Sequence, residues 1–314
     1  MPAIMTHFAF AKMRAEDNVD NDVLYLGAQG PDVFFFYGYT LKKRNNIKDI
    51  RAFGTHLHHI DISKAYFYLL KYAEGKKDRE KEILNTFIHG LFLHYIMDRN
   101  CHPYVFYRTG FSDKDEEKKF FFASHASYES YIDTLIKERF SLKVAPRKAI
   151  HADKTKVMLI SKMMSNLAKD IFNNDIIKED SYYLAWKDMK FCQIIFYSPL
   201  GVKKSFFRLI APKGAINAMT TPRKVKHNDL LDVLNDNKSE WRDCVTNKVH
   251  HDSFLELIAA ASNEVDRLEQ ILAGQYSEED IKRFVANTDH DGFEVDSIKK
   301  YYESIWDKVP NLRW

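Results

Sequence analysis

The chain has 314 residues, 45% of them hydrophobic and 29% charged, the balance of a folded globular protein rather than a disordered one. That length can bury a large core, as one big domain or two ordinary ones. A formal net charge of only +3, with basic and acidic residues mixed along the sequence, gives no reason to expect a stable nucleic-acid partner.

Gly (11) and Pro (8) are scarce and apolar residues recur three and four apart, which predicts helices. In chain order they fall near residues 3–14, 54–73, 79–99, 124–140, 155–173, 178–195, 250–274, 278–286 and 294–306. VFFFYGY (33–39) and CQIIFY (192–197) could pass for strands, but neither has a partner strand. The first reads as core, or as an apolar wall for a lipid chain. Loops are marked by GPD (30–32), LKKRNN (41–46), RTGFSDKDEEKK (108–119) and TTPRKVKHND (220–229). The last is basic, a solvated loop that could meet an anionic headgroup. No loop reads as an interdomain linker and no repeat is evident. The expectation is one all-α domain over residues 1–314, with 276–314 a peripheral helical segment.

Three cysteines, Cys101, Cys192 and Cys244, do not make a disulfide framework, and Cys101 reads as a small buried thiol. The N-terminal MPAIMTHFAFAKMRAED lacks the basic flank and apolar run of a signal peptide. No stretch approaches 18 uninterrupted apolar residues, so no transmembrane segment is expected. The cytoplasm is the expected location.

Of thirteen histidines, eight lie between His7 and His125. In FIHGLFLHYIMDRNCHPY, His94 and Asp98 are four apart and share one face of the 79–99 helix. LFLHYIM is too apolar for a solvated face, so their polarity needs a ligand. His102 lies a further turn on, about 12 Å from His94 along the axis. Pro103 disfavours helix at His102, so a turn is expected after Asn100. His102 would then serve a neighbouring ion, with Asp98 between. SHASYESYID repeats the device with His125 and Glu129, while Asp32, one of His56, His58 and His59, and His7 lie upstream. Nitrogen and carboxylate without thiolate suit zinc in a catalytic site. Three divalent ions against Asp32, Asp98 and Glu129 leave about three positive charges facing solvent, and two ions leave about one. Such a surplus suits a phosphate ester attacked by metal-activated water.

HYIMDRNCH followed by HASYESYID, after GPD and G-x-x-x-H and a histidine near the N-terminus, resembles the zinc-dependent phospholipase C family and the related single-strand zinc nucleases. LNDNKSEW (234–241) is similar to a further family segment, and the resemblance spans roughly residues 1–265. It implies a compact multi-helical fold and a zinc-dependent phosphoric-ester hydrolase with two or three ions. Phospholipid is the leading substrate class. By the same resemblance Asp32, His58, His94 and Asp98 hold one zinc. His102, His125 and Glu129 hold a second, and His7 and Asp98 contribute to a third. Asp32 is also the candidate general base. His58 is chosen because it stands four residues after Gly54. The family's N-terminal tryptophan is missing here, and the Pro2 amine is expected to replace it as a ligand.

His56, His59 and His89 read as structural, and the pairs His251-Asp252 and His290-Asp291 as surface. The alternatives are a non-catalytic metal-binding or interaction protein of the same fold, and a phosphomonoesterase or nuclease. A di-iron protein fits poorly, since its sites use several glutamates with Glu-x-x-His pairs.

Overall fold

The computed structural model describes residues 4–17, 20–40, 43–112, 114–211, 214–225 and 232–308. Helix accounts for 65% and strand for 2%, which settles the all-α class. Among the described residues the strands are one short antiparallel pair, β1 (Trp241–Arg242) and β2 (Val249–His250).

The middle of the fold is α5 (Asp78–Thr109), a helix of 32 residues. Phe92, Leu93, Tyr95 and Ile96 are successive or nearly so, and all are fully buried. A helix that is apolar around its whole circumference must be covered on every side. Its cover comes from α1 (Ile4–Met13), α2 (Asn21–Gly27), α4 (Ser63–Glu74), α6 (Asp115–Arg139), α8 (Lys154–Phe172) and α12 (Phe254–Ala273). A 3-10 helix, Gly30–Phe36, lies between α5, α3 (Ile47–His58) and α9 (Ser181–Phe196). Its residues include most of VFFFYGY, so that segment is helical core rather than strand, and CQIIFY ends α9. The shorter helices are α7 (Pro146–Ala149), α10 (Val202–Ile210), α11 (Ala215–Met219), α13 (Glu278–Val285) and α14 (Ile305–Lys308).

Four expectations are corrected. The helix read over 54–73 is two, α3 and α4, broken at 59–62. The Asp61 side chain takes the Ser63 N–H at 2.8 Å, a local bond that competes with helix continuation. The helix read over 250–274 starts at Phe254, where Ser253 and Glu256 form a capping box. The turn expected after Asn100 is absent: α5 runs through Pro103 to Thr109. An internal proline costs about 3 kcal/mol, which the buried surroundings of Pro103 offset. Gly292 (φ +83°) closes on the same place, since a Cβ there would stand 2.2 Å from the Arg99 carbonyl that Pro103 leaves without its helical donor. Finally, residues 294–304 are not helical. The N–H groups of Lys300 and Tyr301 both go to the Cys244 carbonyl, and that of Glu303 goes to the Tyr107 carbonyl. Tertiary partners take the donors that a helix would have used.

Candidate metal centre

Four helices and one 3-10 turn bring the predicted residues to one place. α5 carries His94, Asp98 and His102 in three successive turns of one face. α6 carries His125 and Glu129, α3 ends at His58, the 3-10 helix holds Asp32, and α1 holds His7. Among these residues, ligand atoms within 4.8 Å of one another form three groups, Asp32–His58–His94, His7–His94–Asp98 and His102–His125–Glu129, and His59–Asp289–Asp291 forms a fourth at the cleft's edge. In the first three groups only His125 is more than marginally exposed.

Each side chain is held in place by identifiable contacts. Asp133, one turn after Glu129, accepts from Met5 N–H (3.1 Å), Thr6 N–H (2.9 Å) and Thr6 Oγ1–H (2.6 Å). These bonds satisfy donors in the first turn of α1 and fix His7 against α6. Burial pushes the Asp133 carboxyl up to about 7, against the bonds from Thr6 and Met5. Gly30 (φ +54°) has no room for a side chain, since a Cβ there would lie 2.1 Å from the His94 ring. Glycine at that turn lets Asp32 and His94 meet.

Three imidazoles are oriented by carbonyls. His58 Nδ1–H donates to Gly54 O (2.7 Å), His94 Nδ1–H to Ala28 O (3.1 Å) and His102 Nδ1–H to His290 O (2.8 Å). A carbonyl only accepts, so each Nδ1 carries a proton and Nε2 is the nitrogen left to face a carboxylate or a cation. Those Nε2 atoms face carboxylates: His58 to Asp32 at 3.1 Å, His94 to Asp98 at 3.0 Å and His102 to Glu129 at 3.5 Å. Asp98 is shared, with Oδ1 3.2 Å from His7 Nε2 and 3.8 Å from His102 Nε2. Although the fully buried His94 Nε2 lies 3.0 Å from Asp98 Oδ2, the two are not aligned for a hydrogen bond. The short distance with the wrong alignment is what two ligands of one cation would show. Between His7, Asp98, His102 and Glu129 lies a cavity of about 20 Å³, room for an ion or a water and nothing larger. Donor type, carbonyl-fixed imidazoles and the misaligned His94 nitrogen all fit zinc.

The electrostatics point the same way. Burial would raise the Asp98 carboxyl, yet His102, His94 and His7 outweigh it and hold it well below the usual carboxylate range. Burial would lower the His102 imidazole, but Asp98 and Glu129 lift it to about 10. The carboxylates demand positive charge, which protons supply when cations do not.

The centre opens into a cleft of about 740 Å³ whose inner wall holds Asp32, His58, His102 and His125. Its outer wall is aromatic, with Phe35, Phe106, Phe111, Phe121 and Phe122. Arg51, Lys118 and Lys299 supply three cations at the same cleft.

His56 is exposed against Phe172, and His89 pairs with Glu269 in a separate hollow. His59, half exposed, faces Asp289 and Asp291 at 3.8 and 3.7 Å on the cleft's edge, where Lys299 already bonds Asp291 at 2.6 Å. Pro2 lies outside the described residues. His251 and Asp252 are exposed, as expected of a surface pair, whereas His290 and Asp291 are buried and the surface reading of them is corrected. The His290 ring lies 4.8 Å from that of His58, 5.5 Å from that of His94 and 5.0 Å from that of Tyr95. Its N–H donates to His58 O, its carbonyl receives His102, and neither ring nitrogen has a hydrogen-bond partner. Burial, with His58 and His94 nearby, holds this imidazole well below its ordinary range, so it is neutral. The C-terminal segment expected to be peripheral thus reaches the middle of the site. The signal that could have found it is HDGF itself: a glycine at a tight turn followed by an apolar residue.

No match was found among curated proteins or solved structures. The family model for zinc dependent phospholipase C matches residues 1–190, a span that contains every member of the three donor groups. By that match the chain belongs to the zinc-dependent phospholipase C family, a family of metal-dependent phosphodiesterases.

Proposed function

We propose that this hydrolase works with three zinc ions and cleaves the phosphodiester of a phospholipid. Asp32 and His58, His7 with Asp98, and His102 with His125 and Glu129 would each hold one. His94 Nε2 belongs to two of the donor groups, but one lone pair serves one ion, and we assign it to the ion of Asp32 and His58. Asp98, with two oxygens, would serve the neighbouring ions together. Zinc held by these residues would supply a water of lowered pKa in the cleft and withdraw charge from the phosphoryl oxygens. Asp32, on the inner wall, takes the proton of the attacking water. Arg51, Lys118 and Lys299 draw an anionic ester into the cleft, and the phenylalanines exclude water beside it.

The observation that carries this reading is the set of three carbonyl-bound Nδ1–H groups, which turns three Nε2 atoms toward three buried carboxylates. The test is hydrolysis of a short-chain phospholipid by the chelated and the zinc-restored protein, with zinc counted by elemental analysis. Turnover that survives chelation overturns the mechanism. Zinc bound without turnover on phosphodiesters or phosphomonoesters returns the protein to the non-catalytic alternative.

One all-α domain is part of the same proposal, supported by a single buried hydrophobic cluster; two stable fragments on limited proteolysis would contradict it. The cytoplasm is the proposed compartment, supported by three free, buried cysteines, and cell fractionation tests it.

A further inference from the structure

Between Asp188 and Asp229 the chain has eight Lys and Arg and no Asp or Glu, although basic and acidic residues elsewhere are nearly balanced. In the middle of this stretch α10 (VKKSFFRLI) contains no buried residue. Val202, Phe206, Leu209 and Ile210 follow helical spacing and form one outward stripe. Leu209 is 82% exposed, and Leu200, just before the helix, 74%. Ile194 of α9 extends the patch, because Lys203 Nζ–H donates to the carbonyls of Ile194 and Tyr197 and ties the two helices together. The rim is basic. Lys203 borders the stripe on α10, and Arg223 lies against Gly201 at its start, with Lys224 exposed beside it. The inner side of α10 is anchored by Lys204 Nζ–H donating to Asn217 O at 2.5 Å.

A helix this short, about 14 Å long, cannot cross a membrane, and no helix among the described residues is long and apolar enough to do so. It can lie along one. From these features we infer that α10 and the Arg223–Lys224 loop are a docking surface for an anionic lipid bilayer, the apolar stripe entering the acyl boundary and the basic rim meeting lipid phosphates. Charge argues against the other obvious occupant, a second copy of the chain. A symmetric contact would set two acid-free basic rims face to face. The inference concerns partitioning and does not depend on the metal centre, so its test needs no turnover.

The test is co-sedimentation of the full-length, zinc-loaded protein with phosphatidylcholine vesicles, with and without phosphatidylglycerol. The wild type binds the anionic vesicles, and added salt weakens binding. Phe206→Glu with Leu209→Glu lowers the partition at least about tenfold, while the thermal melt and the bound-zinc content stay unchanged. Arg223→Glu with Lys224→Glu, a change in the rim alone, lowers binding to anionic vesicles and not the residual binding to phosphatidylcholine. Equal partition of wild type and both variants overturns the inference, as does the absence of binding to either vesicle. A wild type that is dimeric by light scattering, and monomeric as Phe206→Glu with Leu209→Glu, overturns it in favour of self-association.

Discussion

Asp98→Asn keeps the shape of the side chain and removes the one charge shared by His7, His94 and His102. Its effect on the zinc-free protein can be estimated from His102, whose imidazole stands at about 10 instead of 6.5. That difference is worth roughly 4 kcal/mol at pH 7. Burial works against it, and Asp98 comes ahead of Glu129 among the groups that raise it. Losing Asp98 should therefore remove about half, roughly 2 kcal/mol, and lower the melting temperature of the chelated protein by about 3 °C. The folded value lies above the unfolded one, so this contribution is complete below about pH 6.5 and vanishes as pH rises through about 10. The gap between wild type and variant should narrow over that range. Zinc supplies the second readout. A site filled at a hundredfold excess over its Kd adds about 2.7 kcal/mol, and the variant should lose at least one such increment along with one bound ion. Calorimetric melts with chelator and with excess zinc, beside elemental analysis, give both quantities. If zinc raises the melting temperature of Asp98→Asn as far as that of the wild type, at equal stoichiometry, Asp98 is not a shared ligand.

Other outcomes follow from the same geometry. Because His102 holds a proton up to about pH 10 in the zinc-free state, zinc must displace it; titration calorimetry at neutral pH in buffers of different ionisation heat should show about one proton released, and affinity rising with pH. No buffer dependence would contradict this. Gly292→Val places a side chain against the Arg99 carbonyl at a φ of +83°, so the loop that carries the His290 carbonyl must shift. Stability should fall by about 1–3 kcal/mol and zinc affinity at the His102 site by about 10–100-fold, read by competition with a chromogenic chelator; unaltered affinity would show that the carbonyl does not orient His102. Asp133→Ala strands the Met5 and Thr6 donors, and urea unfolding of the zinc-free protein should reveal a loss of about 3 kcal/mol. A loss below 1 kcal/mol would mean that water replaces the carboxylate.

The parts of the site that were legible in the sequence are those written in local spacing. His94-Asp98 and His125-Glu129 are four apart, and helical periodicity alone puts each pair on one face. His58 could be separated from His56 and His59 by its distance from Gly54, and the structure buries it beside Asp32 while leaving the other two more exposed. Pro103 misled because a local rule was applied to a buried segment. The proline penalty is fixed, but the packing around α5 outweighs it, and nothing near Pro103 in the sequence announces that. HDGF announces a tight turn, but that His290 belongs to the site was hidden for a related reason. Its contacts are with residues far earlier in the chain, and a histidine beside an aspartate in a short polar stretch looks like any surface pair. Residues 294–304 failed similarly: their apolar spacing resembles a helix, while their N–H groups are committed to Cys244 and Tyr107.

The His290 turn has a consequence for the order in which the molecule is made. Its main chain joins His102, 188 positions earlier, and His58, earlier still. A growing polypeptide folds from its first residues onward, so every donor of the three groups emerges well before the segment that orients His102. Until that segment arrives, the nascent site offers its imidazoles in whatever tautomer and direction water allows. Tight, selective capture of zinc therefore waits in biosynthesis for the exit of the segment around His290.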